Sequence, residues 1–348
     1  MVLSPGADGR AAEEGWFAGR PGLRLEEAPG PGWRALVDDG AVRGAVGSSA
    51  RDDRGAVVRP VSSDSWVAAP GEIALACAGR PAPGEAARAR AAGLRVLWLA
   101  TGRELATPGA LDEWQAAGCD ALHLWSHAAT SDAHDFHAGV AGRFVAVTAA
   151  IRRARAAGIS VAVSSLLTRS SAPVLASLPR WLCAEGVAAW RVAGIDSDAR
   201  LLHGAGVGPH DGLLGRLSVA LPHALQALSW AARSGLPTFI SGAPACLLGP
   251  FAAAALPGPA RAFAPTCAAC PARAGCCGVA PDYLERFGGA ELRAANLRAL
   301  GSPVAGPRWM FIGTGLLRHV EIDMVESTGA KGQPRIRLPV LTGAGDDG

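Results

Sequence analysis

The chain has 348 residues, 49% of them hydrophobic and 18% charged, which is enough apolar material for one large domain or two ordinary ones and too much for a globally disordered chain. The net charge of +3 comes without a basic block, so the sequence offers no electrostatic footprint for nucleic acid. No apolar run reaches the roughly 18 residues of a membrane span, and Met1–Arg20 holds acidic residues but not the apolar core of a signal peptide.

The expected location is therefore the cytoplasm, where structural disulfides are rare, and the eight cysteines call for another use. Taken in order, residues 1–30 are rich in Gly, Pro and Ala and read as a loose tail. A barrel-type domain is expected over 31–242, a cysteine-rich extension over 243–290, and a C-terminal helix and tail over 291–348 (with a short strand at Arg335–Leu341).

Within 31–242 one punctuation recurs: an Ala/Arg-rich helix, then Gly, then a short apolar run. It occurs at Gly93, Gly118, Gly158, Gly186 and Gly235. A glycine just past a helix end takes the left-handed conformation that a Cβ penalises, and a helix feeding a strand within a few residues is the αβ junction of a parallel sheet. The predicted strands are Ile73–Ala78, Leu94–Ala100, Ala121–Trp125, Ile159–Ser164, Ala188–Val192 and Pro237–Ser241. Their near-continuous apolar character suits strands covered on both faces.

Helices are predicted over Gly142–Ala157, with Phe144, Val147, Ile151 and Ala154 on one face, and over Pro222–Ser234, with Pro222 in the first turn. Five or six such units give an α/β fold, either barrel-like or doubly wound. Ligands in such folds sit at the C-terminal strand ends, which draws Cys77–Arg80, Thr101–Arg103, Ser126–His127 and Arg191–Gly194 toward one mouth.

Cys267-Ala-Ala-Cys270, followed five residues on by Cys276, lets thiolates grip one centre from tight turns. Soft thiolates suit zinc and iron–sulfur clusters. Either needs a fourth ligand, for which Cys246 is preferred over Cys277, the immediate neighbour of Cys276. Cys77, Cys119 and Cys183 lie in apolar or strand contexts and are expected to be buried.

Several of these pieces resemble the radical S-adenosylmethionine (SAM) superfamily, especially members with a SPASM- or Twitch-like C-terminal cysteine segment. Asp120–Gly139 resembles that family's fourth strand and loop, with Ser126-His127 and His134-Asp135 at its characteristic positions. Ala100-Thr101-Gly102-Arg103 resembles a strand end, and Cys267–Gly278 with Tyr283-Leu284 and Phe287-Gly288 resembles the terminal segment. The resemblance spans residues 70–288. It implies a partial (β/α)6 TIM-type barrel and a [4Fe-4S] cluster at Cys246, Cys267, Cys270 and Cys276, with zinc as the alternative.

Two departures accompany it. The family's C-x3-C-x2-C motif is absent, and Ser48–Arg54 stands where those cysteines would fall. Arg80 stands where a glutamate would meet the SAM amino group, and a like-charge contact there is repulsive. SAM binding is therefore doubtful, and the expected role is a substrate-binding or accessory subunit for a small molecule or peptide, working beside an active enzyme partner. An active enzyme with non-standard ligands and a zinc-stabilised ligand-binding barrel remain open.

At the mouth, Arg80, Ser126, His127 and Arg191 are the candidate ligand-binding residues, with Arg103 joining Arg80 and Arg191 in a cationic pocket for carboxylate or phosphate. His123 and His127 are placed on one strand face, and His134 and His137 in the loop after it. Asp196 and Asp198 are a loop acid pair. Ser164, Ser165, Ser170 and Ser171 lack a neighbouring base in sequence.

Overall fold

In the computed structural model, the residues described are 23–27, 34–38, 73–78, 95–100, 109–116, 118–138, 141–194, 215–256, 262–296 and 305–311. Eight strands form one sheet: β1 Leu23–Glu27, β2 Arg34–Asp38, β3 Ile73–Ala78, β4 Arg95–Leu99, β5 Ala121–Trp125, β6 Ser160–Leu167, β7 Ala189–Gly194 and β8 Thr238–Ser241. Each strand neighbours the next in sequence. β1 pairs antiparallel with β2, and every later pair is parallel. A parallel sheet wound in sequence order, with helices between the strands, is the architecture of a partial TIM-type barrel.

The six strands read from sequence are present. β6 and β7 each run two or three residues further than expected. Two more strands precede the six, and β1 lies within the stretch read as a tail.

The helices among the described residues are α1 Ala110–Ala116, α2 Ser131–Ala138, α3 Arg143–Ala156, α4 Leu178–Ala184, α5 Leu217–Arg233, α6 Ala245–Leu248 and α7 Pro281–Phe287. On α3, Val147, Ile151 and Ala154 are buried as the period requires, and Arg152, Arg153 and Arg155 face solvent. Its first turn is capped from a distance: the Asp135 carboxylate on α2 accepts from the N–H of Gly142 at 2.6 Å and of Phe144 at 2.7 Å, so an acid stands at the positive end of the helix.

α5 corrects the expected boundary. It begins at Leu217, so Pro222 sits inside the helix and its missing N–H removes one interior hydrogen bond. Pro222 itself is exposed. The buried stripe Leu217, Ala220, Leu221, Ala224, Ala227, Leu228 and Ala231 outweighs that loss: each large apolar side chain buried contributes about 1.5–3 kcal/mol.

The sheet's two faces differ in chemistry. Val96, Trp98, Leu122, Leu124, Val161, Val163, Trp190, Val192 and Ile240 pack with the helices in one apolar cluster. By the period of two, the other face carries Leu97, Ala121, His123, Trp125, Ala162, Ser164, Ala189, Arg191 and Phe239. Register aligns Trp125 with Ser164, Ser164 with Arg191, and Arg191 with Phe239, so one row across four strands reads aromatic, hydroxyl, guanidinium, aromatic.

The 3-10 turn Arg308–Phe311 lies against this face. Phe311 is fully buried, with ring centroids 5.8 Å from His123 and 5.5 Å from Phe239. Gly306 seats the approach, since a Cβ there would come 2.8 Å from Pro237.

Candidate functional site

Cys267, Cys270 and Cys276 belong to a loop closed by the antiparallel bridge Ala262–Val279, whose two N–H···O bonds are 2.9 and 3.0 Å. Inside it, a run of three-residue turns bonds Cys270 N to Cys267 O, Arg273 N to Cys270 O, and Cys276 N to Arg273 O at 3.1–3.2 Å. Turns of this kind bring residues i and i+3 onto one side. The phase selects Cys267, Cys270, Arg273 and Cys276, and all four line one pocket.

Cys246, at the start of α6, lines the same pocket, as do Arg293 and Ala295. Two chain segments therefore carry the four sequence-predicted metal residues to one pocket, and a third, at Arg293 and Ala295, lines it beside them. Gly278 closes the loop with φ 65°, and any Cβ there would collide with the Ala262 carbonyl oxygen.

The hydrogen bonds separate the cysteines by role. Cys270 Sγ accepts from Ala295 N at 3.3 Å and Cys276 Sγ from Gly278 N at 3.5 Å. Burial pushes the Cys246 thiol up from its ordinary value, the backbone N–H of Arg293 pulls the other way, and Cys276 and then Cys267 raise it further. N–H groups aimed at sulfur favour thiolate, and a bound cation would relieve the mutual repulsion.

Cys277, one position out of phase, donates instead to the carbonyls of Ala243 and Gly278, each at 3.4 Å. Among the described residues, no three His, Cys, Asp or Glu side chains are placed as a set that could hold a metal ion. The four cysteines line the pocket without forming such a set.

Of the other cysteines, Cys119 is buried as expected, its thiol donating to Ala121 O at 3.1 Å. Cys183 is exposed, contrary to expectation. It lies on the outer face of α4, whose buried positions are Leu178, Pro179 and Leu182.

The cysteine segment is fastened to the barrel at the N-terminus of α5. Tyr283 Oη accepts from Leu217 N at 2.7 Å and donates to Glu291, whose other oxygen accepts from Ser218 N at 2.9 Å. Two N–H groups without intrahelical partners are thus satisfied from about 70 residues downstream. Burial first, then the Glu291 bond, pushes the Tyr283 hydroxyl well above its ordinary value.

The mouth residues fare differently. Arg80, Arg103, Asp196, Asp198 and Cys77's side chain lie outside what is described. Arg191 is 1% exposed, so it is not the solvent-facing arm of a surface pocket. Its Nε donates to Ser164 Oγ at 2.9 Å, and its guanidinium lies 5.6 Å from the Trp125 ring and 5.5 Å from that of Phe311. Ser164 also meets His123 Nε2 at 2.7 Å. The base absent near Ser164 in sequence comes from the neighbouring strand.

His127 lies two residues past β5, so it does not share a strand face with His123. His134 and His137 are on α2, not in a loop. His127 and His134 are buried along with Ser126, whose hydroxyl donates to Ala128 O at 3.3 Å. Burial above all, then His134 and His137, lowers His127 to about 3. Burial also lowers His134 to about 4 against the opposing pull of Asp135. Both rings are neutral at neutral pH. The roles of Trp125 and Ser164 were missed in sequence, where the only signal was the alternation along β5 and β6; His134 was named there but placed in a loop.

No protein-family model matches the sequence, and no curated protein matches it. Among solved structures the chain has distant similarity to radical SAM enzymes. A domain of pyruvate-formate lyase-activating enzyme from Bacteroides vulgatus aligns with a TM-score of 0.33 and 15% identity, over 44% of this chain and 86% of that one. SuiB of Streptococcus suis, bound to S-adenosylmethionine, aligns with a TM-score of 0.36 and 9% identity, over 48% of this chain and 37% of SuiB. HMG-CoA lyase of Brucella melitensis aligns with a TM-score of 0.26 and 15% identity, over 66% of this chain and 76% of that one. The aligned part thus spans well under half of SuiB. At such scores the likenesses carry no argument about chemistry. Among the described residues, no helix is long and apolar enough to cross a membrane.

Proposed function

We propose that this protein is a radical SAM-like barrel that lacks the SAM-cleaving cluster, carries one [4Fe-4S] cluster at Cys246, Cys267, Cys270 and Cys276, and serves as a substrate-binding or accessory subunit. The observation that carries the reading is the presence of these four thiols, from two chain segments, in the lining of one pocket. The donor set fits a cluster: soft thiolates, backbone N–H groups on the sulfurs, and Arg273 and Arg293 beside them to offset negative charge.

When bound, the cluster would supply a one-electron couple. This chain's own residues hold it, orient it through the Ala262–Val279 closure, and tie it to α5 through Tyr283 and Glu291. The sequence has no C-x3-C-x2-C motif and no cysteine before Cys77, which favours an accessory role over catalysis, with a small molecule or peptide presented to an active enzyme partner.

Anaerobic reconstitution with iron and sulfide tests this. One four-iron cluster per chain and no reductive cleavage of SAM is the expected result. A second cluster with SAM cleavage would mark an active enzyme, and zinc without iron a structural site; either outcome would overturn the reading.

A further inference from the structure

The C-terminal edge of the sheet carries a pair of groups that the cysteine site does not use. Residues 168–171 follow β6 and α2 follows β5, so both stand at the end of the barrel where ligands of such folds bind. Between them, His137 Nε2 meets the Ser170 hydroxyl at 3.1 Å, and His137 Nδ1 meets the Ala133 carbonyl oxygen at 2.6 Å. A carbonyl only accepts, so Nδ1 carries the proton, and in the neutral ring Nε2 keeps its lone pair for the serine. The neighbouring hydroxyls settle where the Ser170 proton points. Ser171 Oγ donates to Leu166 O at 2.6 Å, so the proton in its 3.0 Å bond with Thr168 comes from Thr168. Thr168 Oγ1, 3.1 Å from Ser170 Oγ, has none left to give. Ser170 is therefore the donor, and the imidazole nitrogen, basic where a hydroxyl is not, is the stronger of its two acceptors. The Ser170 oxygen receives no hydrogen bond from either neighbour, and the residue is exposed.

We infer that Ser170 is a nucleophile, with His137 as its general base, that takes the acyl group of a small ester or thioester at the barrel mouth. A serine hydroxyl is weak alone and is activated by a base within hydrogen-bond reach, itself oriented by a third group. Here the third group is the Ala133 carbonyl, one turn back on α2. Rings on two sides hold the imidazole as well: Phe136 lies edge-on with its centroid at 5.2 Å, and His127 lies at 6.3 Å. Phe136 is 55% exposed and gives an apolar acyl or alcohol group a surface beside the base. In the step itself, Ser170 Oγ bonds to the carbonyl carbon and its proton passes to His137 Nε2. The bond to the leaving oxygen or sulfur then breaks as that atom takes the proton. Water, deprotonated by the same nitrogen, releases the acid and restores the serine. The inference is independent of the cluster.

The test treats the full-length protein, with and without reconstituted iron and sulfide, with a fluorophosphonate probe. The probe bonds to an activated serine with loss of fluoride and spares thiols, and the labelled peptides are mapped by mass spectrometry. The expected result is label at Ser170 about tenfold or more above that at any other serine. Labelling there should fall about a hundredfold in His137→Gln and vanish in Ser170→Ala. The part of p-nitrophenyl acetate hydrolysis that the probe blocks should also vanish in Ser170→Ala. Label spread evenly over the exposed serines would mean a hydrogen-bonded surface turn and nothing more, and would overturn the inference. So would a His137→Gln variant labelled like the parent, or hydrolysis that neither the probe nor Ser170→Ala lowers. Should a variant not fold, the labelling pattern of the parent decides alone. Iron content read on the same samples separates failure here from failure of the cluster reading.

Discussion

The barrel's inner face and the cysteine segment are held together by opposite means. The inner face is a row set by sheet register, with Trp125, Ser164, Arg191 and Phe239 on four consecutive strands. Each polar group there is buried among aromatic rings. The cysteine segment has little regular structure: short 3-10 turns, one β-bridge and the short helix α7. Its sulfurs lie half-buried around a pocket. A sheet row keeps its geometry through cooperative backbone pairing. A loop of tight turns keeps its geometry only if something at its centre, or a few anchoring bonds at its rim, holds it. In small metal sites, binding and folding are one process. The comparison therefore predicts that substitutions of the four pocket cysteines act through metal content, and those in the barrel and at the segment's anchor on α5 through stability.

The largest effect belongs to the thiols. Cys267→Ser or Cys270→Ser should abolish cluster loading, read as iron and sulfide per chain, and leave the segment around 262–296 open to protease while the barrel stays folded. Cys246→Ser should lower loading as well. Iron content unchanged by Cys246→Ser would remove it from the ligand set and loosen the tie between segment and barrel.

Next comes acid. His134 and His127 titrate near 4 and 3 in the fold, below their ordinary value of 6.5. The unfolded chain therefore takes up protons first as pH falls. Stability is full above about pH 6.5 and declines toward pH 4 and below, by a few kcal/mol in total. Thermal melts of the barrel across that range should show the decline, and His134→Asn should flatten part of it. A flat profile in the parent would contradict the burial of these rings.

Smaller again is Tyr283→Phe, which deletes the hydroxyl shared by Leu217 N and Glu291. The loss should be about 1–3 kcal/mol. A double-mutant cycle with Glu291→Gln should show coupling, because both act on the same helix end. The smallest effects fall on Cys277→Ser and Cys183→Ser. One thiol already donates to carbonyls and the other faces solvent, so neither should change iron content.

Much of the scaffold was legible because it is written locally. Helix-ending glycines and apolar runs located β3 to β8, and the spacing of three located the cysteines. β1 and β2 were missed, since Leu23–Glu27 mixes apolar and charged residues, Arg34–Asp38 has only three apolar residues between two charges, and Gly and Pro flank both. Pro222 misled because a proline reads as a helix start, and only the apolar stripe before it shows that α5 begins at Leu217. The inner-face site was the least legible. Arg191 reads as a surface cation until strand pairing sets it beside Ser164 and under Phe311, and His123 meets Ser164 across 41 residues of sequence. Register and tertiary burial decide such contacts, and a one-dimensional pattern does not contain them.

The most direct measurement of the central claim is native mass spectrometry of the anaerobically reconstituted full-length protein beside its Cys267→Ser/Cys270→Ser variant. The account predicts one added mass of a four-iron, four-sulfide cluster on the parent and none on the variant. A single zinc on the parent, or a cluster retained by the variant, would contradict it.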